Sequence, residues 1–252
     1  MLKAIILAAG KGTRMKSDKP KVVHEVLGKP MVYYSIEAAK NAGCDKVCVI
    51  VGYKADEVES SIHSTYEKLG IAQEMKAKVC YALQKEQLGT GHAVKCASDF
   101  IGSDGDVVVL CGDTPLVTAD TLKRAISIHR ADGNGVTVIS AMLEDPFGYG
   151  RIIRDGQGLD RIVEQKDATE TEQAVCEVNS GMYIFKCDAL ISALSQVKND
   201  NAQGEYYLPD TIGIIKAMGL PVDAVPMEDA DQIRGVNTLE QLAEAEEIMK
   251  NR

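Results

Sequence analysis

The chain has 252 residues, of which 45% are hydrophobic and 26% charged, and its formal net charge is −9. This length allows one large core or two small ones, and the acidic balance argues against nucleic acid or an anionic membrane as a partner. No apolar stretch reaches the length of a membrane span and no N-terminal segment resembles a signal peptide, so we expect a cytoplasmic protein without a membrane partner.

The first half of the chain alternates strand and helix signals. Short runs rich in Val, Ile and Cys indicate buried parallel strands, and amphipathic stretches long enough for crossover helices separate them. The predicted strands are residues 3–8, 46–51, 79–83 and 106–111, and the predicted helices are 31–42, 55–68, 90–99 and 119–132. This order predicts a doubly wound α/β sheet, in which ligands bind at the carboxyl ends of the strands.

The second half has shorter, turn-rich connections, which indicate a mixed sheet. Its predicted strands are residues 136–143, 151–154, 159–164 and 179–186, and its predicted helices are 187–195, 206–218 and 238–250. Because no linker or repeat interrupts the chain, we predict one domain of two lobes. The lobes cover about 1–118 and 119–237, and a C-terminal helix follows within 238–252.

The seven cysteines are spread along the chain without a CxxC pair and without clustered histidines. This pattern predicts that most of them are small buried residues in a reducing compartment. A structural zinc site is not expected, because zinc sites need closely spaced Cys and His ligands.

The segment after the first predicted strand is cationic and contains Gly10 and Gly12. Residues 1–30 carry seven cations and two anions, a local net charge of +5, which leaves −14 for the rest of the chain. Backbone N–H groups and side-chain cations at a strand end suit a polyphosphate ligand. The alternative interpretation is a solvated basic loop.

Two oxygen-bearing residues are candidate metal ligands. Asp113 follows the buried run 107–110, and its carboxylate could tether Mg²⁺, which also prefers phosphate oxygens; alternatively it is a turn residue bonded to local amides. Asn237 precedes the last helix, where it either caps that helix, as Thr238 could, or offers an oxygen to the metal.

Glutamines and glycines follow the third predicted strand. The amides of Gln84 and Gln87 can pair with the edge of uracil, and equally with that of thymine, unless both simply face solvent. Gly89 and Gly91 favour close approach of a base or a sugar. We interpret the neighbouring His92 as a structural residue.

A polar series in the second half includes Gly150, Glu164, Lys166 and Asn179, each at a strand end or in a turn. A sugar needs several fixed donors and acceptors and a backbone that it can approach closely. Glu164 and Asn179 could bond hydroxyls, and Lys166 could meet a phosphate. Each residue taken singly is more typical of a solvated surface.

The ordered set of motifs resembles the N-terminal uridylyltransferase domain of the bacterial bifunctional N-acetylglucosamine-1-phosphate uridylyltransferase and glucosamine-1-phosphate acetyltransferase. The resemblance runs from residue 3 to about residue 250, and more broadly it extends to nucleotide-sugar pyrophosphorylases with a Rossmann-like core. The motifs are LAAGKGTRM at 7–15, PKVVH at 20–24, QLGTGHA at 87–93, GDTPL at 112–116, GYGRI at 148–152, VEQKDA at 163–168, N-SG at 179–181, QGEYYL at 203–208 and GVN at 235–237.

The resemblance implies an α/β, Rossmann-like nucleotidyltransferase fold with a mixed, mostly parallel central sheet flanked by helices. It implies a Mg²⁺-dependent enzyme that makes UDP-N-acetylglucosamine and pyrophosphate from UTP and N-acetylglucosamine-1-phosphate for cell-wall precursor synthesis. The first lobe would bind the nucleotide and the second the sugar. The alternatives are a related enzyme that uses another sugar-1-phosphate or dTTP, and a non-catalytic nucleotide-sugar sensor.

The resemblance also implies roles for individual residues. Those implied roles are nucleotide lining for Leu7, Ala8, Ala9 and Gly10; phosphate binding and catalysis for Arg14 and Lys21; uracil reading for Gln84, Gly89 and Thr90; Mg²⁺ binding for the catalytic Asp113 and for Asn237; and sugar binding for Gly150, Glu164 and Asn179.

Two departures from the family pattern limit these implications. Cys111 stands where the family often has Tyr, so the role of that side chain stays open. No hexapeptide repeat follows residue 237, so the β-helix acetyltransferase domain is absent from this sequence and acetyl transfer is not expected. Because trimerisation in the family depends largely on that β-helix, we expect a monomer or weak dimer.

Overall fold

A computed structural model describes residues 1–156 and 158–252. Nine strands form one sheet, and a two-stranded hairpin lies apart from it. The sheet strands are β1 (Leu2–Ala8), β4 (Lys46–Val51), β5 (Val79–Leu83), β6 (Asp106–Cys111), β7 (Val136–Met142), β8 (Arg151–Asp155), β9 (Gly158–Val163), β10 (Glu177–Lys186) and β11 (Val222–Pro226), and the hairpin strands are β2 (Glu25–Val26) and β3 (Lys29–Pro30).

The sheet is mixed and mostly parallel. Its main path runs in the order β11-β7-β10-β6-β1-β4-β5, and β8 and β9 extend from β10. Strand β1 pairs in parallel with both β4 and β6, whereas β10 is antiparallel to its neighbours β6 and β7. The chain therefore moves outward from β1 on one side and returns to its other side with β6, which makes the carboxyl ends of β1 and β6 a topological switch point.

Helices cover both faces of the sheet. Alternate side chains of β1 show why: Ala4 and Ile6 belong to one apolar core, and Ile5 belongs to the other. A strand that is buried on both faces needs helices on both sides. The helices are α1 (Met31–Asn41), α2 (Ala55–Lys68), α3 (Ala72–Lys78), α4 (Thr90–Lys95), α5 (Ser98–Ile101), α6 (Ala119–Ala131), α7 (Glu170–Gln173), α8 (Cys187–Leu194), α9 (Asp210–Ala217) and α10 (Leu239–Lys250).

The first core lies between the sheet and helices α1, α2 and α6. The second core lies between the sheet and helices α4, α8 and α9. A small third cluster joins the hairpin to α10 through Val26, Val236 and Ala245. The last helix is therefore packed against the N-terminal part of the chain, next to the cationic loop, by which we mean the segment between β1 and β2.

The predicted fold class is confirmed, and so is the mixed character of the second half of the sheet. Two predicted helices differ in extent. The stretch 90–99 forms two short helices, α4 and α5. The stretch 206–218 becomes helical only at Asp210, directly after Pro209, because proline lacks an N–H group and has a fixed φ. Strand β11 was not predicted, because Pro221 precedes it and Pro226 ends it, which gives this short run the composition of a loop.

Three of the seven cysteines are buried, namely Cys44, Cys48 and Cys187. Cys80 and Cys176 are exposed, so the expectation that most cysteines are buried was wrong. Strand β5 is the edge strand of the sheet, which leaves the Cys80 side chain uncovered. Within residues 1–156 and 158–252, no helix combines the length and apolarity that a membrane crossing requires.

Candidate active site

The loops after β1, β4, β5 and β6 meet at one edge of the sheet. Gly112 N donates to Leu7 O at 2.9 Å, and Tyr53 N donates to Ala9 O at 3.0 Å. A Cβ on Gly52 would lie 2.8 Å from Ala9 Cβ and 3.0 Å from Gln84 O. These close backbone approaches bring the segment Leu7–Gly10, the Gln84 loop and the Asp113 loop around one cleft.

That cleft has a volume of about 280 Å³ and contains nine of the predicted site residues. The loop after β1 and the start of α4, which were predicted to bind the nucleotide, both line this cleft. The nine residues are Leu7, Ala8, Ala9, Gly10, Lys21, Gln84, Gly89, Thr90 and Asp113.

The cationic loop is anchored so that Lys21 faces the cleft. Met15 is buried, at 1% exposure, and holds the middle of the loop against the core. Gly12 has a left-handed backbone with φ +66°, and a Cβ there would clash with Lys21 Cβ. Glycine is therefore needed at this position both for the backbone conformation and for the contact with Lys21.

Lys21 joins the two predicted metal ligands. Its Nζ donates to Asp113 Oδ2 in a short ion pair and to Asn237 Oδ1 at 2.9 Å. Arg14 Nη2 donates to the same Asn237 oxygen at 2.8 Å. Two cations and two oxygen-bearing side chains from three distant parts of the chain thus converge beside the cleft.

Asn237 is not the cap of the last helix. Thr238 caps α10, because its side chain accepts from Gln241 N at 3.2 Å. Asn237 Nδ2 donates to Gly235 O at 2.9 Å, and since a carbonyl can only accept, the Oδ1 atom must face Lys21 and Arg14. Of the two alternatives from the sequence, capping by Asn237 is therefore wrong, and its oxygen accepts hydrogen bonds from Lys21 and Arg14 instead.

Asp113 likewise directs its carboxylate into the site. Its backbone carbonyl accepts from Val236 N at 2.9 Å, which ties the two ligand-bearing loops together. A carboxylate oxygen and an amide oxygen that share one ammonium ion form a donor set suited to a hard cation. Asp113 and Asn237 therefore offer the kind of oxygen donors that Mg²⁺ prefers, and they are the residues that would hold it.

The predicted sugar residues form a second group, which is joined to the cleft residue Cys111 through Gly181. Asn179 N donates to Gly150 O at 2.8 Å, and a Cβ on Gly150 would lie 3.2 Å from Glu164 Oε1. Asn179 Nδ2 donates to Tyr183 Oη at 2.8 Å, and its Oδ1 accepts from Gly181 N at 3.0 Å. Gly150, Glu164 and Asn179 are therefore brought together, although they lie in three separate places: directly before β8, directly after β9 and within β10.

Glu164 lies in surroundings that disfavour its charge. Burial raises the pKa of this carboxyl, and the nearby Asp167 and Asp210 carboxylates raise it further, against the opposing effect of Arg151. A carboxyl of this kind can accept a hydrogen bond when ionised and donate one when protonated, which suits a sugar hydroxyl.

Gln87, which the sequence offered as a second base-reading amide, also lines the cleft. Four further residues of the cleft were not predicted. Three of them lie inside the quoted motifs, but a motif does not reveal which of its members faces a cleft. The four are Val22, Ala93, Cys111 and Glu205.

Cys111, whose role the sequence left open, and Lys166, which it predicted to meet a phosphate, both make hydrogen bonds within the protein. Burial raises the pKa of the Cys111 thiol to about 12, so the thiol stays neutral. Its Sγ donates to Gly181 O at 3.6 Å. Lys166 Nζ donates to Gln203 Oε1 at 3.0 Å, at the protein surface.

The fold and this cleft define a nucleotidyl transferase, and the chain belongs to that family, whose model matches residues 3–230. It is 50% identical over 252 residues to the Bifunctional protein GlmU of Caldanaerobacter subterraneus subsp. tengcongensis, covering 100% of this chain and 52% of that protein. The protein of the same name from Thermoanaerobacter pseudethanolicus is 48% identical over 252 residues, with the same coverage. The chain therefore spans about half the length of the curated relatives it matches.

A solved structure supports the fold independently. The UDP-glucose pyrophosphorylase complexed with UDP-glucose superposes with a TM-score of 0.77, covering 99% of this chain and 99% of that chain at 21% identity. These findings confirm the resemblance inferred from the motifs and the Rossmann-like class of the sheet.

Proposed function

We propose that the chain transfers the uridylyl group of UTP to N-acetylglucosamine-1-phosphate, releasing pyrophosphate and UDP-N-acetylglucosamine for cell-wall precursor synthesis. The observation that carries the proposal is the convergence of Lys21, Arg14, Asp113 and Asn237 at the mouth of the nucleotide cleft. The identity to bifunctional relatives over the whole chain supports the choice of substrates. A cytoplasmic location and a monomer or weak dimer remain part of the same proposal.

The chemistry needs no nucleophile from the protein. A phosphate monoester dianion is already a competent nucleophile: its oxygen bonds to the α-phosphorus in line, and the bond from that phosphorus to the bridging oxygen breaks as pyrophosphate leaves. Catalysis then consists of positioning and charge stabilisation. Two anionic substrates repel each other, so cations at the meeting point of their phosphates lower the barrier.

The residues divide this work. The small side chains of Ala8 and Ala9 and the lack of one at Gly10 let the nucleotide approach the backbone of this loop, and Gln84 and Thr90, which line the same cleft, would read the base. Lys21 and Arg14 stabilise charge on the departing phosphates. Asp113 and Asn237 would hold Mg²⁺, which when bound would supply positive charge that offsets the repulsion between the two anionic substrates. Glu164, Asn179 and Gly150 hold the sugar.

A substrate matrix tests the proposal. Pyrophosphate release is measured with UTP or dTTP, each combined with N-acetylglucosamine-1-phosphate or glucose-1-phosphate in the presence of Mg²⁺, and products are identified by mass. We expect the combination of UTP with N-acetylglucosamine-1-phosphate to give the highest kcat/KM. A preference for dTTP or glucose-1-phosphate would identify a related transferase, and nucleotide-sugar binding without pyrophosphate release would identify a sensor.

A further inference from the structure

The side-chain amide of Gln84 has an orientation that its neighbours fix. Its Nε2 lies 3.1 Å from Gly89 O and 3.1 Å from His92 Nδ1. A backbone carbonyl can only accept a hydrogen bond, so the amide nitrogen must be the atom that faces Gly89. The amide oxygen of Gln84 is then directed away from both neighbours.

This amide oxygen is the part of Gln84 that a ligand can use. Gln84 lines the nucleotide cleft, although the residue is only 4% exposed. Among residues 1–156 and 158–252, Gln84 Oε1 has no hydrogen-bond partner. Polar atoms that are both fully buried and unpartnered do not include it, so this oxygen is accessible from the cleft. An acceptor that opens to the cleft matches the N3–H of uracil and opposes the unprotonated N3 of cytosine.

His92 is the second partner that holds the amide in this orientation. Because Gln84 Nε2 must donate, His92 Nδ1 must accept, and the ring proton lies on His92 Nε2. The imidazole also lines a second cavity of about 340 Å³, where that N–H can be hydrated. The ring of Tyr206 lies beside the imidazole at a centroid distance of 6.5 Å, and Gly91 N donates to Tyr206 O at 2.7 Å.

We propose that His92 is a positioning residue for base selection: its Nδ1 accepts from Gln84 Nε2 and so keeps the Gln84 acceptor oxygen facing the base. The chain would then prefer UTP to CTP partly because of a residue that does not touch the nucleotide. This inference rests on the proposed function, since it takes the cleft to be the nucleotide site, and it gives His92 a role beyond packing.

The test compares the affinities of UTP and CTP by isothermal titration calorimetry for the wild type and for matched variants. His92→Phe keeps a ring beside Tyr206 and removes the acceptor, and His92→Asn restores an acceptor close to the Nδ1 position. His63→Phe is the control, because His63 is also half-buried and lies 5.9 Å from a tyrosine ring, that of Tyr81, on an element away from the cleft. Gln84→Leu removes the amide itself and so gives the largest change expected in the UTP-to-CTP affinity ratio.

We expect His92→Phe to lower the UTP-to-CTP affinity ratio about 3- to 10-fold, the usual effect of one lost hydrogen bond. His92→Asn and His63→Phe should keep the wild-type ratio within about twofold, since neither removes the acceptor that faces Gln84. An unchanged ratio in His92→Phe, an equal loss in His92→Asn, or a wild type that does not prefer UTP would overturn the inference.

Uridylyl transfer is assayed separately on the wild type. Absence of pyrophosphate release together with a ratio that responds to His92→Phe would reject the proposed function and leave the base-selection inference standing. Full transfer activity, together with a UTP-to-CTP affinity ratio that His92→Phe leaves unchanged, would support the proposed function and reject the base-selection inference.

Discussion

The ammonium group of Lys21 bonds to two side-chain oxygens that lie far apart in the sequence, on the loops of Asp113 and Asn237. In the proposed reaction, replacing Lys21 by Ala removes a cation from the place where charge develops on the departing phosphates. We expect turnover to fall about 10²- to 10³-fold, equivalent to roughly 3–4 kcal/mol of transition-state stabilisation. Pyrophosphate release measures the loss, and thermal unfolding shows whether the variant stays folded.

The matched control for Lys21 is Lys19→Ala, which removes an exposed cation from the same loop. Turnover of this control should stay within about twofold of the wild type, because exposed charges act weakly through water. Near-normal turnover in Lys21→Ala would remove Lys21 from the mechanism.

Asp113 gives a second prediction at this scale. Asp113→Ala removes the carboxylate of the proposed Mg²⁺ site but leaves Asn237, whose amide is held by Gly235. We expect no Mg²⁺-dependent turnover in a Mg²⁺ titration, because one neutral amide oxygen is a poor site for a hard cation. A titration curve identical to that of the wild type would contradict the metal role.

Glu164 predicts a pH dependence of stability. Burial holds the pKa of Glu164 above its ordinary value of 4.5. The folded state therefore binds more protons than the unfolded state between the two pKa values, and the stability from this group is lost as the pH rises through the folded pKa. Urea unfolding from pH 4 to pH 7 should show a smaller loss of stability in Glu164→Gln than in the wild type.

Glu172 is the control, because its pKa is shifted in the direction opposite to that of Glu164. Hydrogen bonds from Thr169, together with Arg161, lower its pKa. Its contribution is therefore present at neutral pH and lost as the pH falls through the folded pKa. Glu172→Gln should reduce stability at pH 7 more than at pH 3. If Glu164→Gln and Glu172→Gln shift the pH profile in the same direction, the account of Glu164 is wrong.

Single residues were predictable from the sequence where their chemistry is local. Asp113 closely follows a hydrophobic strand, so its place at the sheet edge could be inferred. Whether Asn237 caps a helix could not, because Thr238 satisfies the same rule and only the tertiary contact with Lys21 decides between them. The contact of Cys111 with Gly181 was equally hidden, since it depends on the pairing of β10 with β6.

Gly89 links two elements that form one wall of the cleft. It precedes α4 with φ 107° and ψ 175°, a backbone region restricted almost to glycine. A Cβ at this position would lie 2.7 Å from Tyr206 O. Gly89→Ala should lower the free energy of unfolding by more than the roughly 1–3 kcal/mol of backbone strain alone. It should also weaken UTP binding, because Gly89 O holds the Gln84 amide.

Gly70→Ala is the control for Gly89→Ala. Gly70 has φ +74°, and a Cβ there would have no heavy atom within 4 Å, so the variant has only backbone strain. Urea unfolding compares the two variants, and calorimetry compares their UTP affinities. Equal losses of stability with unchanged UTP affinity would show that the contact with Tyr206 is unimportant.

Among the elements, the buried strands of the first half were predicted well, because parallel strands covered on both faces are continuous apolar runs. The short elements were predicted poorly. The hairpin β2–β3 has two residues per strand, and α3 and α7 are brief segments whose position depends on packing rather than on periodicity.

At the scale of the molecule, the order of the strands determines where the site lies. β1 receives a parallel neighbour on each side, so the loops after β1 and β6 open at a switch point, where ligands bind in doubly wound sheets. The antiparallel strand β10 then brings Asn179 and Gly181 to the same edge. The alternation of strands and helices predicted that the loop after β1 lies at the ligand edge. The position of Asn179 and Gly181 depends on the antiparallel direction of β10, which hydrophobic periodicity does not reveal.

The most direct test of the account is a crystal structure of the chain with UDP-N-acetylglucosamine bound. We predict that the uridine diphosphate lies over Leu7–Gly10 with its phosphates toward Lys21, and that the sugar contacts Glu164 and Asn179. A product molecule bound at any other place on the protein, with this cleft unchanged, would contradict the account.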